Sequence, residues 1–481
     1  MPHDSRFKQD KALRRLWCAA LLAAAMVAAP AWSQTQPPPA PQLQPQAAPQ
    51  PQPPPRTRYA ETGQTCDGWP RAPIGMAPGF CAGIVVAPPA DFNARTIRVP
   101  RVVLPLPGGK DFLVTDVGRW QAPGGALFRV TAERGQPAIV TPIITGLYMP
   151  HAILRGPDGK VYVNEQGRIF RFDPLAADPQ ATIETVIADA PDTRTRYNFH
   201  PLSSFIFDSN KDLLVAVGAP SDQCLVGPPA SKDSKPDGDK FCAQSEGDYM
   251  AAGIRRYAYL GDGKWSPSFT IMARGLRNSV AMARHSSGTL LQGENSEDFT
   301  PADTPFEELN VLRQGAHYGW PYCYDMTGTN PVWAQAHVMD CSSSAHTKPV
   351  RLLPPHSAPL SMLYYDGAMF PQLRGKLLIA LHGYRPAGAR IAAFTVDRHG
   401  IPLEARNAHY DIYAAPNGDE TVRLPYAGPA SEPLLLTPGW NNVDGTHPKG
   451  APVGLAVAED GAIWVAENTN ATILRIARDR P

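Results

Sequence analysis

One phrase recurs along the chain and constrains its fold more than any other feature. A proline opens a short apolar run, glycine marks a turn nine residues later, and an apolar triplet of β-forming residues follows. The phrase runs from Pro100 through Gly109 to Phe112-Leu113-Val114, from Pro150 through Gly159 to Val161-Tyr162-Val163, and from Pro452 through Gly461 to Ile463-Trp464-Val465. In a fourth copy Ser279 stands nine residues before Gly288, and a fifth, Leu202 to Val217, has Lys211 where glycine is expected. The most irregular copy, Ser361 to Leu381, passes through Leu377-Leu378-Ile379-Ala380. Each phrase predicts two strands and a tight turn, and a lone strand pair cannot bury its own faces. Six such units close best as a ring, so the expectation is an all-β, six-bladed β-propeller over residues 58–481. A β-sandwich with coincidental turns is the competing arrangement.

The segment before the repeats has a different character. Arg6, Lys8, Lys11, Arg14 and Arg15 precede the apolar run Leu16 to Ala31, which is shorter than the ~20 residues a membrane span needs. Ala31 and Ser33 are small residues at the positions a signal peptidase reads, so residues 1–33 read as a secretory signal peptide and the mature protein has no membrane span. A twin-arginine signal at Arg14-Arg15 and lipidation at Cys18 fit the flanking residues poorly. Residues 34–57 follow as a Pro/Gln-rich linker; proline fills nearly half of positions 34–55, which favours an extended, solvated spacer.

The rest of the composition agrees with export. Lys and Arg number 45 against 44 Asp and Glu, and removing residues 1–33 leaves 40 against 42. No basic stripe exists for a nucleic-acid surface, so no nucleic-acid partner is expected. With 53 prolines in 481 residues, long helices cannot dominate. Beyond Cys18 there are six cysteines, and neighbours pair to close three short loops of similar length: Cys66 with Cys81, Cys224 with Cys242 and Cys323 with Cys341. A ladder of three local disulfides is the simplest of their connectivities. No Cys-x-x-Cys or Cys/His metal spacing occurs. The acidic residues between Cys224 and Cys242 lack the last ligand of an EF-hand and read as a solvated rim.

In a propeller, the residues just before each innermost strand gather at one mouth of the central channel. Here they are Met149-Pro150-His151, Phe199-His200-Pro201, Gly275-Leu276-Arg277-Asn278 and Pro355-His356-Ser357-Ala358-Pro359, with Leu381-His382-Gly383-Tyr384-Arg385 after the second strand of the irregular copy. Any one such histidine is more often a hydrogen-bonded loop residue. Their convergence from separate blades supplies a general base of tunable pKa and bidentate donors for an anionic or quinoid ligand.

The order of several segments adds a resemblance. Gly275-Leu276-Arg277-Asn278, then Gly293-Glu294-Asn295-Ser296-Glu297-Asp298, then Glu308-Leu309-Asn310-Val311 and Gly315-Ala316-His317-Tyr318-Gly319-Trp320-Pro321-Tyr322 resemble the signature run of the soluble PQQ-dependent glucose/sorbosone dehydrogenases. The resemblance covers roughly residues 80 to 478. It implies a periplasmic or secreted oxidoreductase that oxidises a sugar or sugar-derived aldehyde, with hydride transfer to pyrroloquinoline quinone (PQQ) and electrons leaving to an external acceptor. It implies His200 as the base, Arg277, Asn278 and Arg385 at the cofactor, and a Ca2+ ion held by backbone carbonyls of the segment matching Ser296 and Glu297. The Gly315 to Tyr322 run itself reads as a structural loop pinned by Cys323.

Two departures from the family pattern stand out. Relatives often orient the base with a carboxylate further along the chain, where this sequence has Val217-Gly218-Ala219-Pro220-Ser221; either Asp222 substitutes or the base is weaker. The small residues that follow the base in relatives are here Pro201-Leu202, which narrows the pocket. Two other readings therefore stay open: a calcium-dependent lactonase of the gluconolactonase type, and a binding propeller without catalysis.

Overall fold

The computed structural model describes residues 59–479 apart from 90, 228–233, 239, 247, 300–303, 384–387, 404–408, 415–420, 427–432 and 441–449. The signal-peptide and linker assignments lie outside the described residues, as does Arg385.

All six repeat phrases are hairpins, and each forms the inner pair of strands of one blade of a six-bladed β-propeller. Blade 1 runs Pro100–Pro105, Asp111–Asp116, Pro123–Thr131 and Ile139–Tyr148, and blade 2 runs Ile153–Arg155, Val161–Glu165, Arg168–Phe172 and Glu184–Ile187. Blade 3 has Phe205–Phe207, Leu213–Val217, Gly253–Tyr257 and Thr270–Arg274, with the short Ala316–His317 added in parallel at its edge. Blade 4 has Ser279–Arg284, Leu290–Glu294, Glu307–Val311 and Arg351–Leu353; blade 5 has Pro359–Tyr364, Leu377–Leu381, Arg390–Phe394 and Leu434–Leu435. Blade 6 takes Pro452–Val457, Ile463–Glu467 and Thr472–Arg478 from one end of the chain and its outermost strand, Phe80–Val86, from the other. That pairing, from Phe80 opposite Arg478 to Ile84 opposite Leu474, closes the ring.

The core is distributed as six seams between neighbouring blades, which a sandwich would not produce. Leu213 and Val215 pack with Tyr162 and Ile169 of blade 2, whereas Leu214 and Ala216 of the same strand pack with Leu290 and Leu312 beside blade 4. Equivalent seams join blades 1 and 2, 4 and 5, 5 and 6, and 6 and 1. Alternate residues of a strand face opposite ways, so a blade between two neighbours needs apolar side chains on both faces. This is why Leu213–Val217 reads Leu-Leu-Val-Ala-Val and is buried throughout.

The turn position explains the repeated glycine. Gly109, Gly159, Gly288 and Gly461 have φ of 73°, 82°, 92° and 87°, and Lys211 adopts the same left-handed conformation at 69°. The three expected disulfides are formed, with Cα separations of 5.8, 6.1 and 5.5 Å. Cys66–Cys81 anchors the ring-closing strand. The other two are buried with Trp320, Tyr322 and Trp333 in one cluster. No helix among the described residues is long and apolar enough to cross a membrane.

Candidate functional site

A cavity of about 210 Å³ is lined by Arg101, Trp120, Phe199, His200, Pro201, Leu202, Asn278, Val280, Leu360, His382 and Asn468, drawn from five blades and their loops. Pro201 and Leu202 stand in its wall, as the sequence led us to expect. A second concavity, of about 630 Å³, lies at the N-terminal segment around Tyr59 to Arg71 and contains none of the expected site residues.

His200 sits on the loop from blade 2 to blade 3, and that loop is stitched to the end of strand Leu213–Val217. Asn198 accepts the His200 backbone N–H at 2.7 Å and donates from its side chain to the Gly218 carbonyl at 2.8 Å. A side chain at 218 would meet His200 at 2.5 Å, so the close approach requires glycine. The His200 ring stands 2.7 Å through Nδ1 from the carbonyl of Ala219. A carbonyl only accepts, so Nδ1 carries the proton and Nε2 carries the lone pair. Nε2 is buried and has no hydrogen-bond partner among the described residues. Burial, then the charge of Arg277, hold the imidazole well below its ordinary pKa, so it is neutral near pH 7.

The Ala219 carbonyl thus takes the orienting role that a carboxylate has in the family pattern. Asp222 does not substitute: its Oδ1 is 2.7 Å from Arg277 Nη2 and accepts the Asp298 N–H at 3.2 Å. Arg277 is nearly buried and well supplied, donating to the Asn295 carbonyl at 2.9 Å and lying 3.3 Å from Asp298 Oδ2. Its own carbonyl accepts the Ala219 N–H at 2.7 Å, so one chain of bonds links Arg277 to the ring of His200. Asp298 also stands 3.2 Å from His356 Nδ1. The sequence marked Asp298 only as part of a motif.

Asn278 reaches the cavity, and its backbone N–H is held by Glu294 at 2.8 Å. Ser296 N–H is held by Glu307 at 2.6 Å. Burial pushes Glu294 and Glu307 up to about 7 and raises Glu297 well above the carboxylate range. Glu297 is 3% exposed, and its Oε1 is buried without a hydrogen-bond partner among the described residues. Among the described residues no group of three His, Cys, Asp or Glu is placed to hold a metal. An unpartnered carboxylate oxygen fits a hard cation, but a complete shell there needs main-chain or ligand oxygens too.

The side of the cavity formed by blades 1, 5 and 6 holds what the sequence reading missed. Arg101, inside the innermost strand of blade 1, is 2% exposed. Its Nε is 3.3 Å from His151 Nδ1 and its guanidinium lies 5.8 Å from the Trp120 ring centre, but no carboxylate among the described residues pairs with it. Desolvation lowers its pKa to about 10. Beside it His382 bonds Asn468 at 3.1 Å and is pushed down to about 4 by burial and by Arg101. The available signal was an arginine inside an apolar strand that faces a channel. A buried cation lining a cavity without a counter-charge fits a ligand that brings carboxylates, which PQQ does.

Residues 164–398, just under half of the chain, match the glucose/sorbosone dehydrogenase family. The chain resembles the glucose/sorbosone dehydrogenases. The matched stretch includes His200, Arg277, Asn278, Ser296, Glu297 and Arg385 and leaves out Arg101 and Asn468. The iodide and calcium structures of a carbohydrate-active enzyme family AA12 protein from Trichoderma reesei superpose with TM-scores of 0.62 and 0.60, at 18% and 17% identity, over 86% of this chain and 99% and 98% of theirs. The holo PQQ domain of pyranose dehydrogenase from Coprinopsis cinerea does so at 0.58, with 20% identity, over 86% of this chain and 100% of that domain. At such identities the likeness is one of fold. An uncharacterized protein of Borreliella burgdorferi is 31% identical over 134 residues, 26% of this chain; the chain spans about a third, 35%, of that relative. The glucose/sorbosone dehydrogenase-like segment therefore supplies the outer part of blade 2, blades 3 and 4 and the first three strands of blade 5, including His382, whereas Arg101 and Asn468 lie beyond it.

Proposed function

We propose that this protein is an exported PQQ-dependent dehydrogenase of a sugar or sugar-derived aldehyde. The observation that carries the reading is the pairing, across one cavity, of a neutral imidazole with a buried, unpartnered Nε2 and a buried guanidinium without a carboxylate. The family match and the PQQ domain among the similar folds support it.

In this reading His200 Nε2 takes the proton from the substrate hydroxyl while Nδ1–H, held on Ala219, fixes the ring. Arg101 binds a cofactor carboxylate, Asn278 donates to the cofactor from blade 4, and Arg385 is assigned to the same group by its match to the family. Arg277 acts on His200 and positions the 219–222 segment. Bound in the cavity, PQQ supplies the hydride acceptor. Glu297 and the carbonyls near Ser296 are assigned to Ca2+; a calcium structure is among the similar folds. Pro201 and Leu202 exclude water from the imidazole. Residues 1–33 are assigned to export and 34–57 to a tether, with the three disulfides supporting an oxidising compartment. The electron acceptor is external.

The test is dye reduction by protein loaded with PQQ and Ca2+ over a panel of aldoses and sugar aldehydes, with gluconolactone hydrolysis in parallel. Turnover of an aldose that disappears in His200→Ala supports the proposal. Lactone hydrolysis without dye reduction selects the lactonase, and PQQ-independent inertness with ligand binding selects the binding propeller.

A further inference from the structure

A larger concavity beside the cavity has no part in the chemistry above. A cleft of about 640 Å³ opens between blades 1 and 2, lined among others by Tyr148, Glu165, Gln166, Arg168, Asp192 and Arg194. No residue lines both this cleft and the His200 cavity, but two loops run from one to the other. The loop 117–122 brings Trp120 to the cavity and runs straight into Pro123 at the cleft. The loop 188–204 carries Asp192 and Arg194 in the cleft, then Phe199, His200, Pro201 and Leu202 in the cavity. Gln166 ties the two together, donating from Nε2 to the Pro201 carbonyl and accepting the Thr193 N–H at 2.7 Å.

The chemistry of this surface narrows what it can hold. Arg168 lies 2.7 Å from Glu165 and Arg194 lies 2.6 Å from Asp192, so the cleft is balanced in charge yet dense in forked donors and acceptors. Arg194 also stacks 5.0 Å above the Tyr148 ring. The two shared loops leave three large aromatic residues in solvent: Trp120 at 51%, Tyr197 at 63% and Phe199 at 48% exposure. Exposed aromatic faces accept the C–H face of a pyranose, and forked polar groups accept its hydroxyls. A polyanion would meet Glu165 and Asp192, and an apolar peptide would strip water from both ion pairs without replacing it.

We propose that this cleft is an outer saccharide subsite, so that the substrate is the end of a neutral oligosaccharide. One ring stands at His200, and the following rings run past Tyr197 towards Arg194. The inference rests on the sugar-dehydrogenase reading for which ring reacts, while binding is measurable without turnover. Calorimetric titration of the full protein with glucose, maltotetraose and cellotetraose, without cofactor, tests it. At least one tetrasaccharide binds about tenfold tighter than glucose, a gap of ~1.4 kcal/mol, and Arg194→Ala and Tyr197→Ala each erode that gap while glucose affinity holds. The proposal is overturned if neither tetrasaccharide exceeds glucose, or if the gap survives in the Arg194→Ala/Tyr197→Ala double variant. Length-dependent binding without dye reduction in the loaded protein sinks the dehydrogenase and keeps the subsite. Glucose turnover with no length dependence does the reverse.

Discussion

The two sides of the channel mouth handle charge in opposite ways. On blades 3 and 4 the guanidinium of Arg277 meets Asp222 and Asp298, and the bonds continue through Ala219 to His200. On blades 1, 5 and 6 the guanidinium of Arg101 is more deeply buried and, among the described residues, meets the His151 imidazole and the Trp120 indole with no carboxylate. On the first side the guanidinium charge is paired without a ligand, and the bonds that run from it aim an imidazole. The second has no counter-charge among the described residues, and a ligand with carboxylates would supply one. In the proposed function this difference separates the base from the anion clamp within a single cavity.

The largest expected effect tests the first side. His200→Ala in the loaded protein lowers turnover by ~10² to 10⁴-fold and leaves PQQ affinity within a few-fold, read by dye reduction and by fluorescence titration. His151→Ala and His356→Ala are the comparison variants, and equal losses in all three would deny His200 its special place. Next comes pH. The folded pKa of His382 lies near 4, below the unfolded value, so below about pH 6.5 the unfolded chain gains a proton that the folded chain refuses. Its contribution, up to ~3 kcal/mol, is fully present above pH 6.5 and fades as pH falls towards 4. Urea unfolding of the apo protein between pH 7 and 4 reads this. His382→Asn flattens the profile, and an unchanged profile would remove His382 as a source.

Arg101→Met sharpens the contrast, because it removes a buried charge that has no carboxylate partner among the described residues. Affinity for PQQ falls by ~10 to 100-fold, the loss of one charge-assisted bond, while the melting temperature of the apo protein holds or rises. An apo protein that melts lower, with PQQ still bound tightly, would reverse the assignment. The smallest effect has the opposite sign: Arg277→Met takes the cationic partner from Asp222 and leaves Asp298 with His356 alone as its cationic partner, and destabilises the apo protein by about 1 to 2 kcal/mol. The sequence resemblance places Arg277 at the cofactor; its three partners and its hold on Ala219 make it part of the scaffold as well.

Much of this was legible before any coordinates. Proline-to-glycine spacing marked three of the six inner hairpins, and the apolar run, turn and β-forming stretch of the same phrase marked the other three, even where Lys211 replaces glycine, because the turn demands a left-handed residue and the strands demand apolar faces on both sides. Cysteine spacing located the three disulfides. The rule that chemistry collects before innermost strands placed His200 and Asn278 at one cavity. Arg101 escaped because it lies within a strand, where a single polar residue carries no periodic signal. The support of His200 escaped because it comes from a main-chain carbonyl, which every residue possesses. The Gly315 to Tyr322 run proved to be scaffold with a purpose: Trp320 donates to the Asp222 carbonyl at 2.8 Å, steadying the segment that faces Arg277.

The seam between Phe80–Val86 and Thr472–Arg478 has a kinetic consequence. A ring fastened by its first and last strands cannot shut while the chain is still being delivered. Blades 1 to 5 can each gather locally, but blade 6 waits for Arg478 and must then capture a strand that emerged before any of them. That contact is the most distant in the sheet system, and the entropy of closing so long a loop makes it slow. A chain threaded end-first through a membrane pore therefore reaches the far side before its ring can lock. The Cys66–Cys81 link, formed early and locally, presents the waiting strand already fastened to its neighbouring hairpin.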